Sequence, residues 1–177
     1  IATPQYYAAA AQDYMAQYGV GPELFARVSV KARRHAAHNP MAVFRDEVTL
    51  EQVLASPVVW GPLTRLQCCP PTCGAAAALV VSEAFARRHG RGPQVRITGQ
   101  SMVTDLPSTF DSGDMRKVMG ADLAATAAAR ACAQAGVDPK DLDVVELHDS
   151  FTPAEILGYE ALGLTAPGTA ERFVMDG

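Results

Sequence analysis

Chemistry concentrates in the stretch VVELHDSFTPAEI, Val144 to Ile156, where an apolar run stops at His148, Asp149 and Ser150 and a helix signal follows. Thr152, Pro153 and Glu155 read as the N-cap, N1 and N3 residues of that helix, the glutamate reaching back to the cap. The three polar residues therefore fall between the C-terminal end of a strand and a helix N-terminus. Ligands bind at such junctions in α/β sheets, because free backbone N–H groups and the positive end of the helix dipole point outward there. A histidine so placed can donate a hydrogen bond to a developing oxyanion. A Ser-His-Asp triad is excluded: consecutive side chains on an extended segment point to opposite sides and cannot chain as nucleophile, base and orienter. The alternative use is local, with Asp149 and Ser150 satisfying turn amides and His148 packed as a polar residue.

Two other clusters bear on chemistry. Cys68, Cys69 and Cys73 stand in CCPPTC, with Cys132 far along the chain. No histidine is near and the spacing matches no zinc motif, so these read as reduced structural thiols and no metal site is expected. Lys31, Arg33, Arg34, His35 and His38 form the densest positive cluster. They either complement a helix C-terminus in solvent or contact a phosphate or other anion.

The elements that must position these groups change character along the chain. QYYAAAAQDYMAQY (5–18) reads as a helix with Tyr7, Tyr14 and Tyr18 near one stripe, stopped by Gly19 and Gly21. Pro22 opens a second helix that ends before Asn39-Pro40, and Thr49-Leu50-Glu51-Gln52 is a capping box for a third. From residue 74 strands and helices alternate. GAAAALVVS (74–82) suits a strand buried on both faces, and QVRITGQSMV (94–103) and Asp141 to Leu147 suit two more. Between them fall helices at Ser82 to His89 and at ADLAATAAARACAQAG (121–136), whose small face would lie tight against a sheet, with Gly136 as its C-terminal stop. The expected class is α/β, with a helical first third.

Composition narrows the function classes. A chain of 177 residues suits one domain or a little more, and can bury a real core. A net charge of −4 leaves no footprint for nucleic acid or an anionic membrane. No apolar run approaches the roughly 20 residues of a membrane span. The start at Ile1 and the polar stop at Gly177 both read as cut ends.

Several segments together resemble one family. LQCCPPTCGAAAALVVSEAF, MVTDLPSTF and VVELHDSFTPAEILGYEALGL, preceded by HAAHNP and MAVFRDEVTLEQVLAS, look like the thiolase domain of the sterol carrier protein x and lipid-transfer type. The resemblance is collinear over nearly the whole chain. It implies a partial thiolase-like fold: residues 1–65 as the loop domain, and 66–177 as the first part of the C-terminal α/β half. It places the nucleophilic cysteine and a Gly-His-Pro histidine outside this chain.

The resemblance implies an acyltransferase that cleaves or forms the C–C bond of a 3-oxoacyl-CoA in lipid or sterol side-chain metabolism. His148 inherits an oxyanion role and Ser150 the acid/base position, while Asp149, Phe151, Lys31, Arg34 and His35 are expected around the substrate. Coenzyme A is a substrate and no other cofactor is implied. Ser150 departs from the pattern, because this subgroup has a cysteine there, and an alcohol is a far weaker acid than a thiol. Cys73 likewise replaces an aspartate before Gly-Ala-Ala-Ala, a change expected to be structural, and Cys68 and Cys69 read as packing residues. The serine opens a second reading, a thiolase-like retro-aldolase on a 3-hydroxyacyl-CoA with an OB-fold partner subunit. A third is a non-catalytic acyl-CoA-binding subunit. A homodimer is implied, with a cytoplasmic location in a bacterium or a peroxisomal one in a eukaryote. The isolated piece is expected to lack turnover and to aggregate through uncovered apolar surface.

Overall fold

The computed structural model describes residues 2–90 and 95–176. α1 (Thr3–Tyr18) and α2 (Glu23–Ala36) form where the apolar spacing requires, and α1 ends at Gly19 with φ 68°. α3 (Leu50–Ala55) starts at the expected capping box: the Gln52 amide donates to Thr49 Oγ1 at 3.2 Å, and the Thr49 amide to Gln52 Oε1 at 2.8 Å. A short antiparallel hairpin follows, β1 (Val58–Trp60) with β2 (Leu63–Thr64), in a region that carried little strand signal. Beyond it lie α4 (Glu83–Arg88), α5 (Pro107–Asp111), α6 (Met115–Val118), α7 (Ala121–Ala135), α8 (Thr152–Ala161) and α9 (Ala170–Asp176). Helices with one small sheet keep the chain in the α/β class.

The core is where α1, α2, α8 and α9 meet. Tyr14, Leu24, Phe25, Val28, Ile156 and Val174 are buried there, with Tyr14 edge-on to Phe25 at 6.1 Å. The tyrosine stripe of α1 serves this packing, since Tyr14 and Tyr18 stack at 4.6 Å. α6 docks on α1 through polar contacts. The Met115 amide donates to Asp13 at 2.7 Å, and Arg116 reaches Gln17 while holding Asp114. That guanidinium keeps the Asp114 carboxyl below the usual carboxylate range.

Three expected strands do not form ladders. Residues 74–82 and 95–103 run without strand pairing, and so do 142–147; Gln94, where the second strand was to begin, lies outside the described residues. Asp141 belongs instead to a 3-10 turn, Pro139–Asp141. Leu79 is 86 % exposed, the opposite of the expected burial on both faces, and Val95 and Val144 are 90 and 83 % exposed. The physical reason is that β-branching and apolar content fit a residue to a sheet but cannot supply the neighbouring strand whose N–H and C=O groups complete it.

The stretch 95–103 still has a defined seat on α7. The Gln100 amide donates to Gln134 Oε1 at 2.8 Å, and a Cβ on Gly99 would lie 2.3 Å from the Ala131 carbonyl oxygen. The small residues of α7 thus accept a backbone at close range, but it is that of an unpaired extended segment and not the expected sheet, and none of them is fully buried. Gly99→Ala forces the two backbones apart, and a loss of about 1–3 kcal/mol is expected. Chemical denaturation of the intact protein checks this: a lower midpoint at unchanged slope supports the contact, and an unchanged midpoint removes it.

Candidate functional site

The polar junction is held by a segment from far earlier in the chain. Cys68 and Phe151 form an antiparallel bridge, and the Cys69 amide donates to the Ser150 carbonyl at 2.9 Å. A 3-10 turn, Arg65–Gln67, delivers the cysteines to that position. Gln67 is buried, and both ends of its side-chain amide are bonded. Its Oε1 accepts from the Thr64 amide at 2.9 Å and from Thr64 Oγ1 at 3.0 Å, and its Nε2 donates to Thr152 Oγ1 at 3.3 Å.

This contact revises the local reading of α8. Phe151 is the N-cap and no side chain caps the helix, so Thr152 and Pro153 occupy the first two helical positions. Thr152 and Glu155 do not bond each other. The hydroxyl takes the bond from Gln67, and the carboxylate turns to Lys31 of α2, 2.5 Å away. Long-range partners displaced the local capping box because a buried carboxylate gains more from a cation than from one more amide.

Lys31 also donates to the Tyr159 hydroxyl at 2.5 Å and lies 5.2 Å above its ring, while that hydroxyl donates to Glu155. The three groups lock α2 to α8 one turn beyond the junction. A second clasp lies deeper, where Tyr14 donates to Glu160 at 2.5 Å and the Gly168 amide to the same oxygen at 2.8 Å. Burial, then the bond to a carboxylate, pushes both the Tyr14 and the Tyr159 hydroxyls well above the ordinary tyrosine range.

Against the junction opens a cleft of about 800 Å³. Ser150 and Asp149 line it on one side, Cys69, Pro70 and Pro71 on another, with Arg33 of α2 and Arg65 of the 3-10 turn among its walls. Arg33 stacks over Phe44 at 4.7 Å, which fixes the guanidinium at the wall. Two guanidiniums beside a mostly apolar floor fit a ligand with an anionic end and an apolar remainder. A second hollow of about 510 Å³ lies behind the same junction, bounded by Lys31, His35, Asp143, Glu146, Asp149 and Tyr159.

The residues singled out from sequence fall in different places. Ser150 is half-buried on the cleft wall, and exposed Asp149 borders both hollows. His148 is exposed and lines neither. Phe151 is buried, its ring 4.6 Å from that of Tyr7, and points into the small cluster of Ala8 and Leu63. The basic cluster is split. Lys31 is committed to Glu155, His35 borders the second hollow, and Arg34 is exposed away from both. Arg33, noted within that cluster but not among the substrate contacts, is its member on the cleft. The available signal was helical phase, since Arg33 lies one turn from buried Ser29, whose hydroxyl donates to the Leu66 carbonyl at 2.9 Å. Arg65 and Cys69 carried no comparable signal, because only the long-range ladder brings them to the junction. All four cysteines are free thiols. Burial, with the neighbouring Cys69, pushes the Cys68 thiol up.

The chain is similar to known proteins in sequence and in overall fold. The family described as "Thiolase C-terminal domain-like" matches residues 108–177. "Sterol carrier protein 2" of Gallus gallus is 46 % identical over 169 residues, covering 95 % of this chain and 31 % of that protein. "Benzoylsuccinyl-CoA thiolase subunit BbsB" of Thauera aromatica is 40 % identical over 171 residues, covering 97 % of this chain and 43 % of that one. Among solved structures, "Ltp2-ChsH2(DUF35) aldolase" superposes with a TM-score of 0.76 at 29 % identity, over 98 % of this chain and 46 % of its own. The chain therefore spans less than half the length of each of these relatives. It belongs to the thiolase superfamily, in the group of sterol carrier protein 2, and has a partial thiolase-like fold.

Two outcomes follow for the junction. Lys31→Met leaves Glu155 buried without its cation, and a loss of about 3 kcal/mol is expected, most of it regained when Glu155→Leu is added. Equilibrium unfolding of the single and double variants in the intact protein reads this, and a neutral single variant contradicts the clasp. The raised tyrosines add stability that is complete below the unfolded tyrosine value near 10 and is lost as pH rises above it. Stability measured from pH 8 to 11 should fall along that limb, and Tyr159→Phe should flatten it.

Proposed function

We propose that the protein carrying this chain acts on acyl-CoA thioesters, cleaving or forming the C–C bond of a 3-oxoacyl-CoA in lipid or sterol side-chain metabolism. The observation that carries this reading is the cleft itself: the extended segment bearing Ser150, which leads into α8, opens onto an apolar floor flanked by Arg33 and Arg65. A CoA ester has the matching shape, with phosphates for the guanidiniums and an acyl thioester for the junction. The named activity of the Thauera relative supports the same substrate class.

On this reading His148 serves the thioester carbonyl oxygen as it becomes an oxyanion, which requires its exposed side chain to turn toward bound ligand. Ser150 lines the acid/base position, and Asp149 sits beside the acyl group. Residues 1–65 act as the loop domain over the CoA, and 66–177 as the start of the C-terminal half. Coenzyme A is a substrate, and the working state is a homodimer in the cytoplasm of a bacterium or the peroxisome of a eukaryote.

A second reading has its own support. The aldolase structure that superposes on this chain, together with a serine at position 150, favours retro-aldol cleavage of a 3-hydroxyacyl-CoA with an OB-fold partner subunit. The two differ in their need for free CoA. The intact protein is to be assayed with a 3-oxoacyl-CoA plus CoA, and with a 3-hydroxyacyl-CoA alone, as wild type and Ser150→Cys. CoA-dependent loss of the oxo substrate, faster in Ser150→Cys, is the expected result. Ketone or aldehyde release without CoA makes the protein an aldolase, and binding without turnover of either makes it an acyl-CoA-binding subunit.

A further inference from the structure

The cleft wall carries a thiol that the reading above leaves unused. The antiparallel bridge pairs Cys68 with Phe151, so the next opposed pair is Cys69 and Ser150, joined by the 2.9 Å bond from the Cys69 amide to the Ser150 carbonyl. Opposed residues in a ladder project to the same face, with Cβ atoms roughly 4.5–5.5 Å apart. Alternation sends the first pair inward and the second outward. Phe151 and Cys68 pack with Ala8, Leu63 and Tyr7, Cys68 also touching the edge of the 800 Å³ cleft, whereas Cys69 is exposed and, with Ser150, borders that cleft.

The other groups on that wall are poor carriers of a proton at carbon. Arg33 and Arg65 offer hydrogen-bond donors and no acceptor. The Cys68 thiol is held protonated by burial and by its neighbour, and it donates to the Thr64 carbonyl at 3.5 Å. Glu155 is bound by Lys31 and Tyr159. An alcohol such as Ser150 gives up its proton only far above neutral pH, whereas thiols as a class titrate near 8.5. Asp149 also borders the cleft, but it precedes Ser150 on the same extended segment, projects to the other side of it and is shared with the second hollow. The group directly opposite the serine is therefore the solvent-reachable thiol of Cys69.

We propose that Cys69 is the catalytic acid/base of this cleft, transferring a proton at the α-carbon of the acyl thioester beside Ser150. The inference rests on the acyl-CoA reading and holds for either bond cleavage, because both release the enolate of a thioester. In the cleavage direction the enolate carbon takes the proton: a C–H bond forms as the Cys69 S–H bond breaks, and the thiolate regains its proton from solvent in the open cleft. In the forming direction the thiolate removes the α-proton, and the C–H electron pair becomes the enolate. Ser150 orients the acyl group through its hydroxyl, and the pairing of the two strands fixes the distance between the two residues.

Exchange of the α-protons of an unreactive saturated acyl-CoA in deuterated water isolates this step from bond cleavage. The intact protein is compared as wild type, Cys69→Ala, and Cys69→Ala with Ser150→Cys, with acyl-CoA affinity measured alongside. Wild type is expected to bind and exchange. Cys69→Ala is expected to bind within about threefold and exchange about 10²–10⁴-fold more slowly. The double variant, with a thiol returned on the facing strand, is expected to recover exchange, which repair of a merely structural defect would not produce. Cys69 in wild type should also be alkylated by iodoacetamide, and protected by acyl-CoA, as read by peptide mass spectrometry. Exchange undiminished in Cys69→Ala, no recovery in the double variant, or alkylation unaffected by ligand overturns the role of Cys69 while leaving the acyl-CoA reading intact. Absence of acyl-CoA binding by wild type overturns both.

Discussion

The junction depends on a pairing between segments that are far apart in the chain. Gln67 and Thr152, 85 residues apart, share a hydrogen bond at the point where the Cys68–Cys69 segment lies against Ser150–Phe151. Closing a loop of that length costs entropy that grows only slowly with length, so a few buried bonds and an apolar seat suffice once helix packing has brought the ends near. The seat is the cluster of Phe151, Tyr7, Ala8 and Leu63, and the bonds are those of Gln67, whose amide oxygen accepts twice from Thr64 while its nitrogen reaches Thr152. If this pairing were lost, the cleft would lose two of its walls at once.

Electrostatics divides the region into two sides. On one, Lys31 is drawn inward to Glu155 and Tyr159, which neutralises the carboxylate in the first turn of α8. On the other, Arg33 and Arg65 remain at the cleft wall, so a chain with net charge −4 still presents a local positive surface where a phosphate could lie. Residues only two apart on α2 thus serve opposite ends, because successive positions on a helix turn through about 100°.

The exposed extended segments are the counterpart of this well-tied junction. Residues 74–82, 95–103 and 142–147 carry Leu79, Ile97, Met102 and Val144 outward, yet 95–103 is seated on α7 through Gly99 and Gln134. These segments hold the most exposed large apolar side chains among the described residues.

What could be read in the sequence was whatever depends on neighbours within about four residues. The tyrosine stripe and glycine stop of α1, the Thr49–Gln52 box and the Gly136 stop of α7 each follow from local torsion and local bonds, and each is present. The polar junction was legible too, as an apolar run ending at His148, and its family followed from the order of several motifs. The failures have one cause. Strand partners, the cation for Glu155, the bond claimed by Thr152 and the cysteine opposite Ser150 all come from distant residues, and no local pattern encodes them. Sequence determined the kinds of groups available and the helices that carry them. Only tertiary structure decided that Arg33 instead of Arg34 would line the cleft, that Phe151 would be buried while Ser150 faced outward, and that Cys69 would stand at its side. The reason is that facing is a property of packing, which a chain acquires when distant elements exclude water from between them.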